Sequence, residues 1–513
     1  DEKTAVEQFG KGDKYFGICT LMATMPGLPM FGHGQIQGYA EKYGMEYYRP
    51  YWDEKPDSYL IQRHQQEVFP LLKRRDLFSG VRRFLLYDFY SREGQVNENV
   101  FTYSNGNGRQ YALVVYHNHY CDTRGWIRIS ASYLNKDSGN LENKSLFEGL
   151  GLQGGRNHFV IFRDSASGFE YIRSNRDIMD KGLFFDLHAY EYHVFVDFRE
   201  VEEIGYGQYS QLNDYLNGRG VPSIDDAMRE LMLAPVLNPL RDLVNADSLK
   251  TLYRSLSFDP DEKINADQVQ IHAEKYLRLL EAIRGFVNTR TDVLPIMQQE
   301  KRGLEAILKL PVFEERYPFP KSKKYKITLE YIQHNLGDYP FIWYVLFLWN
   351  DLRLIGRVIT SDPQYAEISR SWLDEWGIAR TVQQTLENLG LDMGQAQSGL
   401  TILKLLISQQ QWVENIAEET ALSLMEKWLS IGQIRTFLNV NRYRGKLYFN
   451  KEAFESLLWW MMTSALFSLI ADTEKSLAEV VETLFEAYAL INSILAAETD
   501  SEYQVEKLLE GLK

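Results

Sequence analysis

The sequence predicts a mixed multidomain chain. Residues 1–80 read as the last quarter of a (β/α)8 barrel, residues 81–204 as an antiparallel β-sandwich, and residues 205–513 as a large all-α region. Three observations predict it. Residues 16–35 run from an apolar helix through a Pro26-Gly27 corner and a short apolar strand into a glycine-rich polar loop. Residues 81–204 alternate short apolar segments with turn residues, and residues 205–513 carry apolar side chains at helical spacing. At 513 residues the chain exceeds what one core organises, so two to four domains are expected.

The first helix is expected over 15–25, the strand over 28–32, a long loop over 33–57 and an amphipathic helix over 58–75. That helix sets Leu60, Ile61, His64, Val68, Leu71 and Leu72 on one side. Helix, strand, long loop and helix are the parts of a barrel repeat, in which functional groups lie at the C-terminal ends of strands. In the next region Asn105-Gly106-Asn107-Gly108 is a hairpin signal, because Asn and Gly accept positive φ. Ser165-Ala166-Ser167-Gly168 is a second one. The last strand is expected over Tyr190 to Arg199, with Tyr192, Val194, Val196 and Phe198 sharing a face.

Beyond residue 205 the pattern becomes helical. Ser223 and Asp226 make a capping-box-like start, and Val269, Ala273, Tyr276, Leu280 and Ile283 form a stripe. Phe341 to Trp349 is apolar all round and predicts a buried helix. Trp372 and Trp376 stand one turn apart before Gly377, and a further helix is expected over Val413 to Leu429. Lys451 to Ala471 reads as a long core helix, and the pair 474–497 and 502–512 closes the chain. No constant repeat period supports a solenoid.

Composition narrows the partners. The formal charge is −14 and no basic patch stands out, which argues against nucleic acid. The apolar run Leu457–Ile470 is shorter than the ~18–20 residues of a membrane span and contains hydroxyl residues, so no membrane partner is expected. No leader-like segment is visible, and a cytoplasmic location is expected. Two cysteines, Cys19 and Cys121, exclude a disulfide scaffold and, without histidine spacing beside them, a zinc site. The 32 tyrosines and 10 tryptophans suit either a large core or stacking on sugars.

The run PGLPMFGHGQIQGYAEKYGMEYYRPYWDE, residues 26–54, resembles the α-amylase family, glycoside hydrolase family 13. In that family the last barrel strand follows a Pro-Gly-x-Pro corner and ends in a loop containing Gly, Gln and Glu. An antiparallel β domain follows, whose last strand resembles Ala189–Phe195. The resemblance covers residues 1–204 and departs at Ile36, where the family usually carries Glu. It implies retaining chemistry on α-glucans or maltooligosaccharides, with nucleophile and general acid on barrel strands upstream of Asp1. It also implies that Asp1 stands near the aspartate of the family's Asn-His-Asp motif, a stabiliser of the transition state. The chain is accordingly expected to be the C-terminal part of a longer enzyme, or to associate with a separate N-terminal barrel portion.

Around the loop, His33 and Gln35 either bond sugar hydroxyls or close the barrel end. Tyr43, Tyr47, Tyr48 and Trp52 either stack on glucosyl faces or pack the loop. Glu46, Asp53 and Glu54 are expected to be solvated or paired with Arg49 and Lys55. His117 and His119 share a strand face, but no third ligand accompanies them, so surface roles are expected. No metal and no cofactor are expected; the calcium sites of the resembled family lie mostly in segments outside this chain. Hydrolysis and glucosyl or maltosyl transfer fit equally, and a non-catalytic scaffold with a decayed barrel end is the reading from another class. The helical region is expected to serve assembly, to shape the active-site mouth, to regulate, or to bind a protein.

Overall fold

A computed structural model describes the chain except for residues 1–2, 43–48, 136–137, 156, 206, 260, 262, 314–322, 335, 337–339 and 473–474. It divides into two compact units, Asp1–Met232 and Leu233–Lys513. The expected mixture of an antiparallel sheet and many helices is present.

The first unit begins with two helices. Ala5–Phe9 is closed by a Thr4/Glu7 capping box, and Asp13–Thr24 buries Tyr15, Phe16, Cys19 and Ala23. The sheet strands are β1 (Leu85–Ser91), β2 (Val100–Gly106), β3 (Tyr111–His117) and β4 (Thr123–Ser130). After the small ribbon β5 (Tyr133–Leu134) and β6 (Leu141–Glu142) come β7 (His158–Asp164), β8 (Glu170–Ser174), β9 (Leu183–Leu187) and β10 (Tyr192–Glu202). Eight of them form one curled antiparallel sheet in the order β8-β7-β10-β3-β2-β1-β4-β9. The hydrogen bonds thus run through a single sheet rather than two facing ones, and helices cover what a second sheet would.

Strand β3 shows why the middle of the sheet is apolar on both faces. Ala112 and Val114 join Tyr103, Val194 and Val196 against the first helices, while Leu113 and Val115 join Phe89, Phe162 and Phe195 on the other face. Each fully buried large side chain contributes about 1.5–3 kcal/mol. Gly17 lets the helix Asp13–Thr24 lie directly on the sheet, because a Cβ there would fall inside the Tyr116 ring. Both predicted hairpins form. Asn107 accepts from the Arg109 and Gln110 N–H groups in the first, and Asp164 from those of Ala166 and Ser167 in the second.

Two expectations for this unit are corrected. Residues 28–32 form no strand; Leu28 and Met30 are 86% and 74% exposed. A strand needs a neighbour for its N–H and C=O groups, and the segment has none among the described residues. Arg75 instead holds the preceding corner, donating to the carbonyls of Ala23, Met25 and Gly27. The helix expected over 58–75 runs as Ser58–Arg63, a widened π turn at His64–Val68, and Phe69–Leu72. Pro70 cannot donate a backbone hydrogen bond, which accounts for the break.

The second unit is helical around one core. The helix Lys451–Ala471 is buried on nearly every side, through Phe454, Trp459, Trp460, Met461 and Phe467, as is Pro340–Leu352. Lys451–Ala471 and Leu477–Asp500 are long and apolar enough to cross a membrane, but 78% of the first one's most apolar stretch is buried inside the protein. Trp372 and Trp376 stack at 4.0 Å, and Gly377 takes φ 70° where that helix ends. The helix expected over Val413 to Leu429 is shorter, Ala421–Ser430, because Thr420 caps its start. Asn441–Tyr443 and Lys446–Tyr448 pair as a small ribbon.

Candidate functional site

The loop that follows the Pro26-Gly27 corner is held by its own side chains. Its first turn closes on Gln35, whose side-chain oxygen accepts the Gly32 N–H at 2.9 Å. Gly34 takes φ 71° there, and a Cβ would press on the Tyr39 ring. Two carboxylates then staple the loop to itself. Glu54 accepts the N–H groups of Ala40 and Glu41 at 2.7 and 2.9 Å. The buried Glu41 accepts those of Tyr51 and Trp52 at 2.6 and 3.0 Å. The expectation that Glu54 is solvated or salt-bridged is corrected: backbone N–H groups of the loop itself are its partners. Asp57 ends the loop as the N-cap of Ser58–Arg63, accepting from Leu60 and pairing with Lys11 at 3.1 Å.

Under the loop lies a buried polar pair. Tyr15 Oη and His64 Nε2 are 2.9 Å apart, and the Tyr15 hydroxyl also reaches the Gln35 carbonyl at 3.4 Å. Phe16, Phe31 and Phe69 surround the imidazole. Burial pulls the His64 pKa down to about 4, so the ring is neutral near pH 7. Burial likewise pushes the Cys19 thiol up to about 11, which makes it an inert core group. Arg63 grips Glu67 through two bonds of 2.7 and 3.0 Å and lies over the Phe16 ring at 4.0 Å.

The predicted site residues separate as follows. His33 is exposed in the turn after the corner, and Trp52 is 54% exposed while its backbone is held by Glu41. Gln35 is half-buried, with its amide oxygen spent on the turn. Asp1, Tyr43, Tyr47, Tyr48 and Glu46 lie outside the described residues. The structure therefore places His33, Gln35 and Trp52 on one stapled loop and describes no catalytic carboxylate pair there.

Two clusters escaped the sequence reading. Cys121 Sγ lies 3.2 Å from His119 Nδ1 and 3.9 Å from His117 Nε2, so a third side chain does accompany the two histidines. The i, i+2, i+4 spacing was the available signal. The second cluster is in the helical unit. His272 Nε2 lies 2.8 Å from Asp351 Oδ1 and 3.7 Å from Glu300 Oε1, and all three side chains are buried. Asn350 Nδ2 donates to Glu300 Oε1 at 2.7 Å. Burial opposes charge on His272, but Asp351 and Glu300 beside it win and push its pKa up to about 9. Burial also raises Glu300, so the cluster holds protons. The three ligand atoms lie within 4.8 Å of one another, close enough to share a metal ion. A metal would first have to part His272 from Asp351.

Comparison of the chain with protein-family models, with curated proteins and with solved structures returns no match.

Proposed function

We propose that this chain is the C-terminal part of an α-amylase-like glycoside hydrolase. In this reading residues 1–80 close a (β/α)8 barrel, residues 81–204 are the β domain that follows it, and residues 205–513 are a helical appendage. The observation that carries it is the contrast within residues 26–57. Leu28 and Met30, alternate apolar residues, are almost fully exposed, yet they lead directly into a loop that two carboxylates hold in shape. Exposed apolar side chains at the head of a stapled loop suit a segment that other polypeptide would cover. A stapled loop carrying His33 and Trp52 suits the rim of a sugar site.

The chemistry would be retaining. A carboxylate attacks the anomeric carbon while a carboxylic acid roughly 5 Å away protonates the leaving oxygen, and water then releases the covalent glycosyl-enzyme. Both carboxyl groups would come from upstream barrel strands, and Asp1 would stabilise the transition state. His33 would bond a sugar hydroxyl and Trp52 would offer a stacking face; Gln35, engaged with Gly32, would contribute by shaping the turn. Transfer to a second sugar differs from hydrolysis only in how well water is kept out.

The test joins the 513 residues to the polypeptide encoded upstream and follows maltooligosaccharide products. Turnover with retained α configuration, and a rise in KM of about ten-fold for Trp52→Ala from the loss of one stacking contact, are expected. A joined protein that folds but neither binds nor turns over any α-glucan contradicts the reading and leaves the scaffold alternative.

A further inference from the structure

The helical unit holds a cleft of about 640 Å³. Arg302, Arg353 and Arg357 line it, with Lys475, Tyr365 and Gln410. Arg353 is 1% exposed, at the end of the buried helix Pro340–Leu352. Its Nε and Nη2 atoms are buried and make no hydrogen bond. The Nε atoms of Arg302 and Arg357 and the side-chain oxygen of Gln410 are in the same state. None of the three arginines forms an ion pair among the described residues.

A buried guanidinium without a hydrogen-bonded anion is costly. The buried acids relieve this cost only in part: the Glu300 charge favours the Arg353 cation, which also lies 4.7 Å over the Trp349 ring, but its Nε and Nη2 donors stay without a hydrogen bond. Asp351 is committed to His272, and Glu300 to Asn350. The acids lining the cleft are occupied or disfavoured as anions. Asp292 accepts the Leu294 N–H, Asp472 has a partner of its own, and burial raises the pKa of Glu414 even though Lys475 and Arg357 nearby favour its anion. Arg357 is meanwhile oriented, donating to Gln299 Oε1 at 2.6 Å and lying 4.6 Å over the Tyr365 ring. The backbone around Arg353 is fixed as well: its carbonyl accepts from Ser369 Oγ and Gln410 Nε2 at 3.0 and 2.9 Å.

We infer that this cleft binds a small phosphate monoester, its phosphate held by Arg302, Arg353 and Arg357. Guanidinium forks match the oxygens of a phosphate and bind it in pairs of hydrogen bonds. The volume exceeds that of a bare ion and falls in the range of pockets that enclose a whole small molecule. Tyr365 and Gln410 offer polar atoms for the rest of the ligand.

Thermal unfolding and calorimetric titration of the whole chain test this, with inorganic phosphate, glycerol phosphate and citrate as probes against chloride at matched ionic strength. The expected result is saturable stabilisation by both phosphates, tighter for the ester. Arg302→Gln and Arg357→Gln, at the half-buried positions, are expected to weaken binding about ten-fold each without loss of fold, from one charge-assisted contact apiece. Arg353→Met is expected to abolish it; if that variant fails to fold, the other two decide. The inference is overturned by stabilisation no greater than chloride gives, by citrate binding alone, or by phosphate affinity unchanged in both rim variants.

Discussion

Replacing Glu41 by alanine should loosen the loop that presents Trp52 without disturbing the sheet. The buried carboxylate accepts the N–H groups of Tyr51 and Trp52 at 2.6 and 3.0 Å. A hydrogen bond to a charged group is worth about 1.5–3 kcal/mol, so the two together hold about 3 kcal/mol at the lower end. Tyr51 and Trp52 are largely exposed, and water recovers part of this on opening. A net loss of about 2 kcal/mol corresponds to about a 30-fold larger opening constant. Amide hydrogen exchange at Tyr51 and Trp52 reads it directly. Protection at those two amides is expected to fall about 30-fold in Glu41→Ala, and about ten-fold in Glu41→Gln, which keeps one neutral acceptor. Exchange in strands β2 and β3 should stay as it was. Equal protection at Tyr51 and Trp52 in wild type and Glu41→Ala would refute the carboxylate staple.

Three further outcomes follow from buried groups. The His64 pKa is depressed by burial to about 4, so the unfolded chain binds the proton more tightly and the first unit loses stability as pH falls from about 6.5 to 4, by up to about 3 kcal/mol; His64→Gln should flatten this acid slope in denaturant titrations. His272 is the reverse case. Its pKa is raised to about 9 against burial by Asp351 and Glu300, so its contribution is complete below about 6.5 and is lost as pH climbs through 9; Glu300, raised by burial to about 8, loses its contribution in the same direction, so His272→Gln should remove only part of the alkaline loss in the second unit's unfolding and His272→Gln with Glu300→Gln most of it. Gly303→Ala should destabilise the helical unit by about 1–3 kcal/mol in chemical denaturation, because the new methyl group collides with Asn350 Oδ1, which sits fully buried beside Glu300.

Local chemistry was legible where it is locally decided. Asn107 and Gly108 make their turn with their own side chain and a φ of 95°, so the hairpin could be read from four residues. The helices Pro340–Leu352 and Lys451–Ala471 were legible because an all-apolar surface has nowhere to go but a core. The segment 28–32 misled because a short apolar run predicts a strand only when a neighbour supplies the hydrogen bonds. Glu41 and Glu54 were hidden because a carboxylate that accepts backbone N–H groups looks, in sequence, like one that faces water. His272, Glu300, Asp351 and Arg353 come from three helical segments that tertiary packing alone brings together, and no spacing announces them.

The chain is proposed to complete a retaining glycosidase whose nucleophile lies outside it. A fluorosugar that traps the covalent glycosyl-enzyme, applied to the chain joined to its upstream polypeptide, followed by peptide mass spectrometry, tests that claim most directly. The expected result is a labelled aspartate upstream of Asp1 and none within the 513 residues. A label on a carboxylate inside the chain, or an intact protein that takes no label and turns over no α-glucan, would contradict it.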